Sequence, residues 1–274
     1  MSRLAAAFFA LKKQGHAAFV PFISAGDPDL ETSFAILEKL PGAGADIIEL
    51  GMPFSDPMAD GPAVQASSTR ALAAGANMNR TLDMVRKFRK ADNKTPIVLM
   101  GYFNPIHAYG TARFSRDAAQ AGVDGLIIVD LPPEEDDVLR APAAAQGLDI
   151  IRLATPTSND ARLPRILDGA SGFVYYVSIA GVTGTKNFDP GDVKAAVARI
   201  RGASTLPVAV GFGVKTPDHA REIARIADAV VVGSAIVSLI GANAGAPKDK
   251  IVSAVLDLCR ALADSTHAAR AETV

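Results

Sequence analysis

A chain of 274 residues, 49% hydrophobic and 21% charged, has enough apolar material for a large core, which excludes a disordered chain. Its formal net charge of -1 gives no electrostatic reason to expect nucleic acid or an anionic membrane as a partner. The single cysteine, Cys259, excludes an internal disulfide and suits a reducing, cytoplasmic setting, and no apolar run is long enough to span a bilayer.

At the start of the chain, Arg3 followed by the apolar stretch 4–11 mimics a short leader. Lys12 and Lys13 follow at once, without a small-residue cleavage site, so the pattern predicts a short helix covering the bottom of a barrel. Eight β-rich runs then recur every few dozen residues, at 17–24, 45–51, 96–102, 125–130, 148–154, 172–178, 206–212 and 227–233. Most are nearly continuous in apolar residues, as parallel strands buried on both faces are. Helical spacing fills the gaps, at 30–40, 79–90, 113–121, 134–146, 159–167, 190–201, 216–226 and 248–263. Asp189-Pro190 and Thr216-Pro217 each put a side-chain acceptor before a proline at the first helical position. The polar, Ala-rich tail after Asp264 reads as a frayed helix end.

A weak repeat supports this count. Gly44-Ala45-Asp46, Gly122-Val123-Asp124 and Ile226-Ala227-Asp228 each precede a strand, like one helix-to-strand turn used again. Alternating βα units favour a parallel sheet with helices outside. Eight of them, with no GxGxxG after the first strand, favour a closed (β/α)8 TIM barrel over an open doubly wound sheet. The expectation is one α/β barrel domain over 1–274, with chemistry at the C-terminal ends of the strands.

Polar residues at those ends are Ser24, Asp27, Glu49, Tyr102, Asn104, Asp130, Tyr175 and Ser178. Glu49 ends the run IIEL, and desolvation between Ile48 and Leu50 raises a carboxyl pKa and prepares it to carry a proton. The alternative is a carboxylate paired with a neighbour for structural reasons. The loop 53–62, stiffened by three prolines, adds Asp56 and Asp60. Carboxylates in different environments divide acid/base and electrostatic roles, although aspartates beside proline and glycine also cap turns. A phosphate signal comes from three consecutive units: Gly181 to Thr185, Gly211-Phe212-Gly213 before a helix start at Thr216, and Gly233-Ser234 opening another helix. Glycines let backbone approach an anion, and free N–H groups at a helix start bind it.

Other chemistries find little support. No predicted strand holds a Schiff-base lysine, since Lys186 and Lys215 lie in loops. His16, His107, His219 and His267 are scattered and read as surface histidines rather than metal ligands. No G-x-S-x-G elbow occurs. The expectation is acid/base chemistry on a small phosphate ester, with no metal and no cofactor.

The segments PFISAGDP (21–28), IIELGMPFSDPMADGP (47–62), PIVLMGYFNP (96–105), YYVSIAGVTGT (175–185), VGFGVKTP (210–217) and VVVGSAIV (230–237) together resemble tryptophan synthase alpha subunits, in the family's order through almost the whole chain. The resemblance implies retro-aldol cleavage of indole-3-glycerol phosphate to indole and glyceraldehyde 3-phosphate. By it, Glu49 matches the general acid/base and Asp60 the carboxylate that accepts from the indole N–H. Tyr175 matches a residue positioning Glu49 and substrate, and Phe22, Met100, Ile127 and Phe212 match the apolar walls. Gly184, Gly213, Gly233 and Ser234 match the phosphate site, beside Gly211 of the glycine-rich run. The loop 180–189 matches a mobile lid in which Thr183 bonds Asp60. The implied partner is a beta subunit in an alpha2-beta2 heterotetramer, faced by Asp56, Asn104 and Pro132.

The sequence departs from the family at Ser178-Ile179-Ala180, before GVTG, and at Met100, where leucine is common. Two other readings are open. Indole-glycerol-phosphate synthases and phosphoribosyl isomerases share the glycine-rich phosphate loops but do not resemble 47–62. A catalytically weak subunit that activates a partner has no need of intact Glu49 and Asp60.

Overall fold

The computed structural model describes residues 1–178, 190–211 and 213–270. Phe212, Thr183, Gly184 and the rest of the expected lid at 180–189 lie outside them. All eight expected strands are present. They are β1 (Ala18–Ser24), β2 (Ile48–Gly51), β3 (Ile97–Gly101), β4 (Gly125–Ile128), the pair β5 (Asp149–Ile150) and β6 (Arg152–Ala154), β7 (Val174–Val177), β8 (Val208–Gly211) and β9 (Ala229–Val232). The pair arises because the fifth run changes neighbour at Ile151. β5 pairs with β4 and β6 pairs with β7, so one run joins the two edges of an all-parallel sheet ordered β5-β4-β3-β2-β1-β9-β8-β7-β6. That junction closes the barrel.

The helices around it are α1 (Arg3–Gln14), α2 (Leu30–Lys39), α3 (Pro62–Ala73), α4 (Met78–Arg89), α5 (Phe103–Tyr109), α6 (Thr111–Ala121), α7 (Asp137–Ala145), α8 (Leu163–Leu167), α9 (Pro190–Ala203), α10 (Pro217–Ala224), α11 (Ser234–Ala242) and α12 (Lys248–Ala268). Strand residues alternate between two cores, which is why the runs are apolar throughout. Val20, Val98, Ile151, Tyr175 and Val231 fill the barrel interior. Ile48, Leu50, Leu99, Val174 and Val230 face the helices. Leu4, Phe8 and Leu11 of α1 join the interior cluster, with Phe8 against Phe173 at 5.8 Å between ring centres. The first helix thus plugs the bottom of the barrel, as expected.

The repeated turns that end in Asp46, Asp124 and Asp228 have a common geometry. Asp46 accepts the Phe19 N–H at 2.8 Å, Asp124 the Ile97 N–H at 2.8 Å, and Asp228 the Val208 N–H at 2.9 Å. Each aspartate reaches from the start of one strand to a first N–H of the strand before it in the chain, satisfying a donor at the end of the ladder. Asp124 carries the most. Its carboxylate also pairs with Arg89 at 2.7 Å and Arg3 at 2.9 Å, with Arg89 and Asp124 both buried. Asp124→Ala leaves a buried N–H without its acceptor and the buried Arg89 guanidinium without its carboxylate, held by the backbone carbonyls of Gly122, Asp92 and Thr95 alone, and is expected to cost about 3–5 kcal/mol in urea unfolding. A loss below about 1 kcal/mol would show that water replaces the carboxylate.

Several boundaries differ from the sequence pattern. Helix α3 was not anticipated, because its buried side is made of Ser67, Ser68 and Ala71 and shows no apolar stripe. The short α5 was missed as well. Helix α7 begins at Asp137 rather than 134, and α8 at Leu163 rather than 159, since Asn159 accepts the Arg162 N–H at 2.9 Å and holds 159–162 as a turn. The expected frayed end after Asp264 is instead ordered helix through Ala268, and 271–274 lie outside the described residues. Thr266 is fully buried, and Arg270 donates to the carbonyls of Ala224 and Ala227. His267 is no ordinary surface histidine either. It bonds Asp46 at 2.7 Å, which raises its pKa against the opposing effect of burial, and its ring stacks on His16.

Candidate active site

Parity along the strands decides which side chains reach the barrel mouth. In Ile47-Ile48-Glu49-Leu50, Ile47 belongs to the interior cluster while Ile48 and Leu50 face the helices. Glu49 therefore points inward. It is 2% exposed, and burial first, then the charge of Asp60, push its pKa up to about 8. Phe22 pairs with Glu49 across β1 and β2. The Phe22 ring lies against Gly51, where an added Cβ would meet it at 2.7 Å, and the Phe22 Cβ sits 3.4 Å from the same position on Gly233. A single ring thus spans the distance between the Glu49 strand and the start of α11.

Tyr175 enters from β7, buried, and its pKa is raised well above the usual value by desolvation and then by the Glu49 charge. Its ring packs so closely on Gly211 that a Cβ there would lie 2.3 Å from the hydroxyl oxygen. Only glycine fits at that point.

Asp60 lies in the loop between β2 and α3. Burial lifts its pKa to about 6, partly offset by a hydrogen bond from Tyr102. The Tyr102 hydroxyl also accepts the Ala59 N–H at 2.9 Å, its ring contacts Phe54, and the Gln65 side chain donates to the Asp60 carbonyl at 2.8 Å. The sequence pattern placed Tyr102 at a strand end but gave it no role. Here it holds the Asp60 loop by backbone and carboxylate together.

A cavity of about 840 Å³ opens beside Asp60 and Met100 and runs over Val129, Leu153 and Val177. Those three apolar residues were not singled out from the sequence, although each follows the inward parity of its strand. The cavity wall does not include Glu49, Phe22, Tyr175 or Ile127, which are buried in the barrel interior. Its outer part passes between the strands and helices α7 and α8, where the buried pair Arg152 and Asp136 forms one wall.

At the opposite side of the mouth, Gly211 ends β8 and Gly213 follows with φ +85°. Thr216 caps α10 by accepting the His219 N–H at 3.3 Å. Gly233 caps α11 and its carbonyl takes the N–H groups of Ile236 and Val237, so those of Ser234 and Ala235 have no partner within the helix. These are the donors a phosphate needs. Asp56, Asn104 and Pro132 are exposed, as is Met58 at 82% on the loop that carries Asp60.

The family model described as tryptophan synthase alpha chain matches residues 8–267. Among solved structures, the chain is similar to tryptophan synthase subunit alpha from Legionella pneumophila, with 40% identity and a TM-score of 0.90 over 97% of this chain and 98% of that one. It is also similar to a chain of Mycobacterium tuberculosis tryptophan synthase, with 35% identity and a TM-score of 0.88 over 97% and 98% of the two chains. A model match over nearly the whole length, together with a shared fold at these identities, means that the chain belongs to the tryptophan synthase alpha chain family.

Proposed function

We propose that Glu49 and Asp60 carry the reaction of this family, in which an indole-3-glycerol-phosphate lyase of tryptophan biosynthesis breaks a carbon–carbon bond. The observation that carries the reading is the inward, buried Glu49 within the field of Asp60 on the cleft wall, with the two carboxyl groups pushed to different pKa values, about 8 for Glu49 and about 6 for Asp60. At neutral pH the first holds a proton and the second is ionised, so the two divide acid and electrostatic roles.

The proton count then closes. Glu49 starts as the acid and protonates C3 of the indole ring, leaving positive charge on the ring nitrogen. Asp60 accepts the indole N–H and stabilises that charge. The Glu49 carboxylate formed in the first step takes the proton from the glycerol hydroxyl. The carbonyl of glyceraldehyde 3-phosphate forms, the carbon–carbon bond breaks, and its electron pair neutralises the ring as indole. Glu49 ends as the acid again. Tyr175 beside Glu49 positions it, and Phe22 and Met100 hold the ring.

The N–H groups at the start of α11, with Gly211 and Gly213, receive the phosphate. Within the same reading, Ile127, Phe212, Thr183 and Gly184 complete the walls, the lid and the phosphate loop.

The family's partner is the beta subunit. We assign the exposed rim of Asp56, Asn104 and Pro132 to that contact, in an alpha2-beta2 assembly. The single cysteine, Cys259, has no disulfide partner in the chain, which suits a reducing cytoplasm. Among the described residues no helix is long and apolar enough to cross a membrane.

Indole release from indole-3-glycerol phosphate, measured with chelator present, tests the reading. Slow release that accelerates when beta subunit is added is expected. No release under either condition would return the site to the related phosphate-binding barrels. Equal release with and without beta subunit would remove the proposed partner contact.

A further inference from the structure

Behind the cleft, a buried network joins the elements that carry its two ends. Asp27, just after β1, is 1% exposed. Arg70 of α3 grips it with two bonds, Nε to Oδ1 at 2.7 Å and Nη2 to Oδ2 at 2.8 Å. Ser67, one turn earlier on α3 and fully buried, sets its Oγ 2.6 Å from Asp27 Oδ2 and 2.7 Å from Ser24 Oγ at the end of β1. Its single proton goes to the carboxylate, and Ser24 supplies the other. Arg70 also reaches the carbonyl of Val237 in α11 at 3.4 Å. Its guanidinium lies against Gly241, where a Cβ would come within 2.9 Å of it.

Each element these groups join ends in the site. Helix α3 begins two residues after Asp60, α11 begins at Ser234, and β1 carries Phe22. A two-pronged arginine–carboxylate pair fixes both distance and orientation, which a point charge does not. Resting on the reading of the site above, we infer that Arg70 and Asp27 are positioning residues that set the separation between the acid/base end of the cleft and its phosphate end. A substrate spanning both ends depends on that separation. A ligand held at the phosphate end alone does not.

The test uses the full chain with beta subunit present. Arg70→Lys keeps the positive charge next to Asp27 and removes the fork. Ser67→Ala keeps the ion pair and removes the bridge to β1. For each variant, kcat and KM for indole-3-glycerol phosphate are measured per folded site, together with the Kd of glycerol 3-phosphate. Arg70→Lys is expected to lower kcat/KM by about tenfold or more, since a displacement near 1 Å can cost that much, while the Kd of glycerol 3-phosphate moves by less than about twofold. Ser67→Ala is expected to shift the same way by less, and it carries the test if Arg70→Lys does not fold.

Unchanged kcat and KM per folded site would make the network purely structural and overturn the inference. So would a parallel loss of glycerol 3-phosphate binding, because the phosphate end itself would then be disturbed. Absence of indole release from the unsubstituted chain would instead overturn the reading of the site.

Discussion

Glu49→Gln is expected to abolish indole release and, at the same time, to make the chain more stable. A general acid/base contributes about 10²–10⁴ to rate. Here one group serves in both proton steps, so the loss falls at or beyond the upper end of that range. Phosphate-ligand binding stays near the unsubstituted value, because the donors at Gly213 and Ser234 belong to other strands and helices. The stability gain has a definite sign. Folding raises the Glu49 pKa from its ordinary 4.5 to about 8, chiefly by desolvation. Between those values the unfolded chain has released a proton that the folded chain keeps, so stability falls as pH rises through that window.

At pH 7 the penalty is on the order of 3 kcal/mol. Glutamine, neutral at every pH, does not incur it. Thermal unfolding at pH 5 and pH 8 separates the cases. The variant's advantage is small at the lower pH and grows toward the higher one. Wild-type-like turnover would sink the acid/base role. A variant less stable than the parent at pH 8 would mean that a partner holds Glu49 ionised, which is the structural alternative left open by the sequence.

The barrel was legible because its information is local. Runs buried on both faces read as continuous apolar strands, and the turns before them repeat because the aspartate in each meets the same geometric need, here seen at Asp46, Asp124 and Asp228. Glu49 stood out as a candidate because a carboxylate between Ile48 and Leu50 is desolvated, but that position alone left structural pairing open, and the resemblance of 47–62 is what pointed to acid/base work. What escaped notice depends on residues far apart in the chain. Nothing near Asp27 announces that Arg70 and Val237 meet behind it, and nothing near Asp46 announces His267. Helix α3 was lost because it packs by serines and alanine, so its periodicity is invisible on a hydrophobic scale. Arg152 is a sharper case. It occupies a helix-facing strand position where neighbours hold Ile or Val, and Asp136 at the start of α7, with the Asp168 carbonyl, makes that burial tolerable. Inside LDIIRLA the arginine gave no hint of its counter-ion.

Asp60→Asn is expected to lower kcat by about 10²–10³ with little change in KM, and to reshape the pH profile in two ways. Asparagine keeps a carbonyl that can accept the indole N–H, so ground-state binding survives. It lacks the charge that opposes the positive ring in the transition state, so the loss falls on kcat. In the parent chain, kcat/KM requires Asp60 ionised and Glu49 protonated. The apparent profile therefore rises through about 6 and falls through about 8, as the behaviour of the pair rather than of either group alone.

Removing the Asp60 carboxyl takes away the rising limb. It also removes the second cause of the Glu49 shift, the nearby negative charge, so the falling limb moves to lower pH while staying above the usual carboxylate range because desolvation persists. A variant with raised KM and unchanged kcat would make Asp60 a substrate-binding group only. A falling limb that does not move would mean that Asp60 and Glu49 do not share a field in the working site, and the division of roles between them would fail with it.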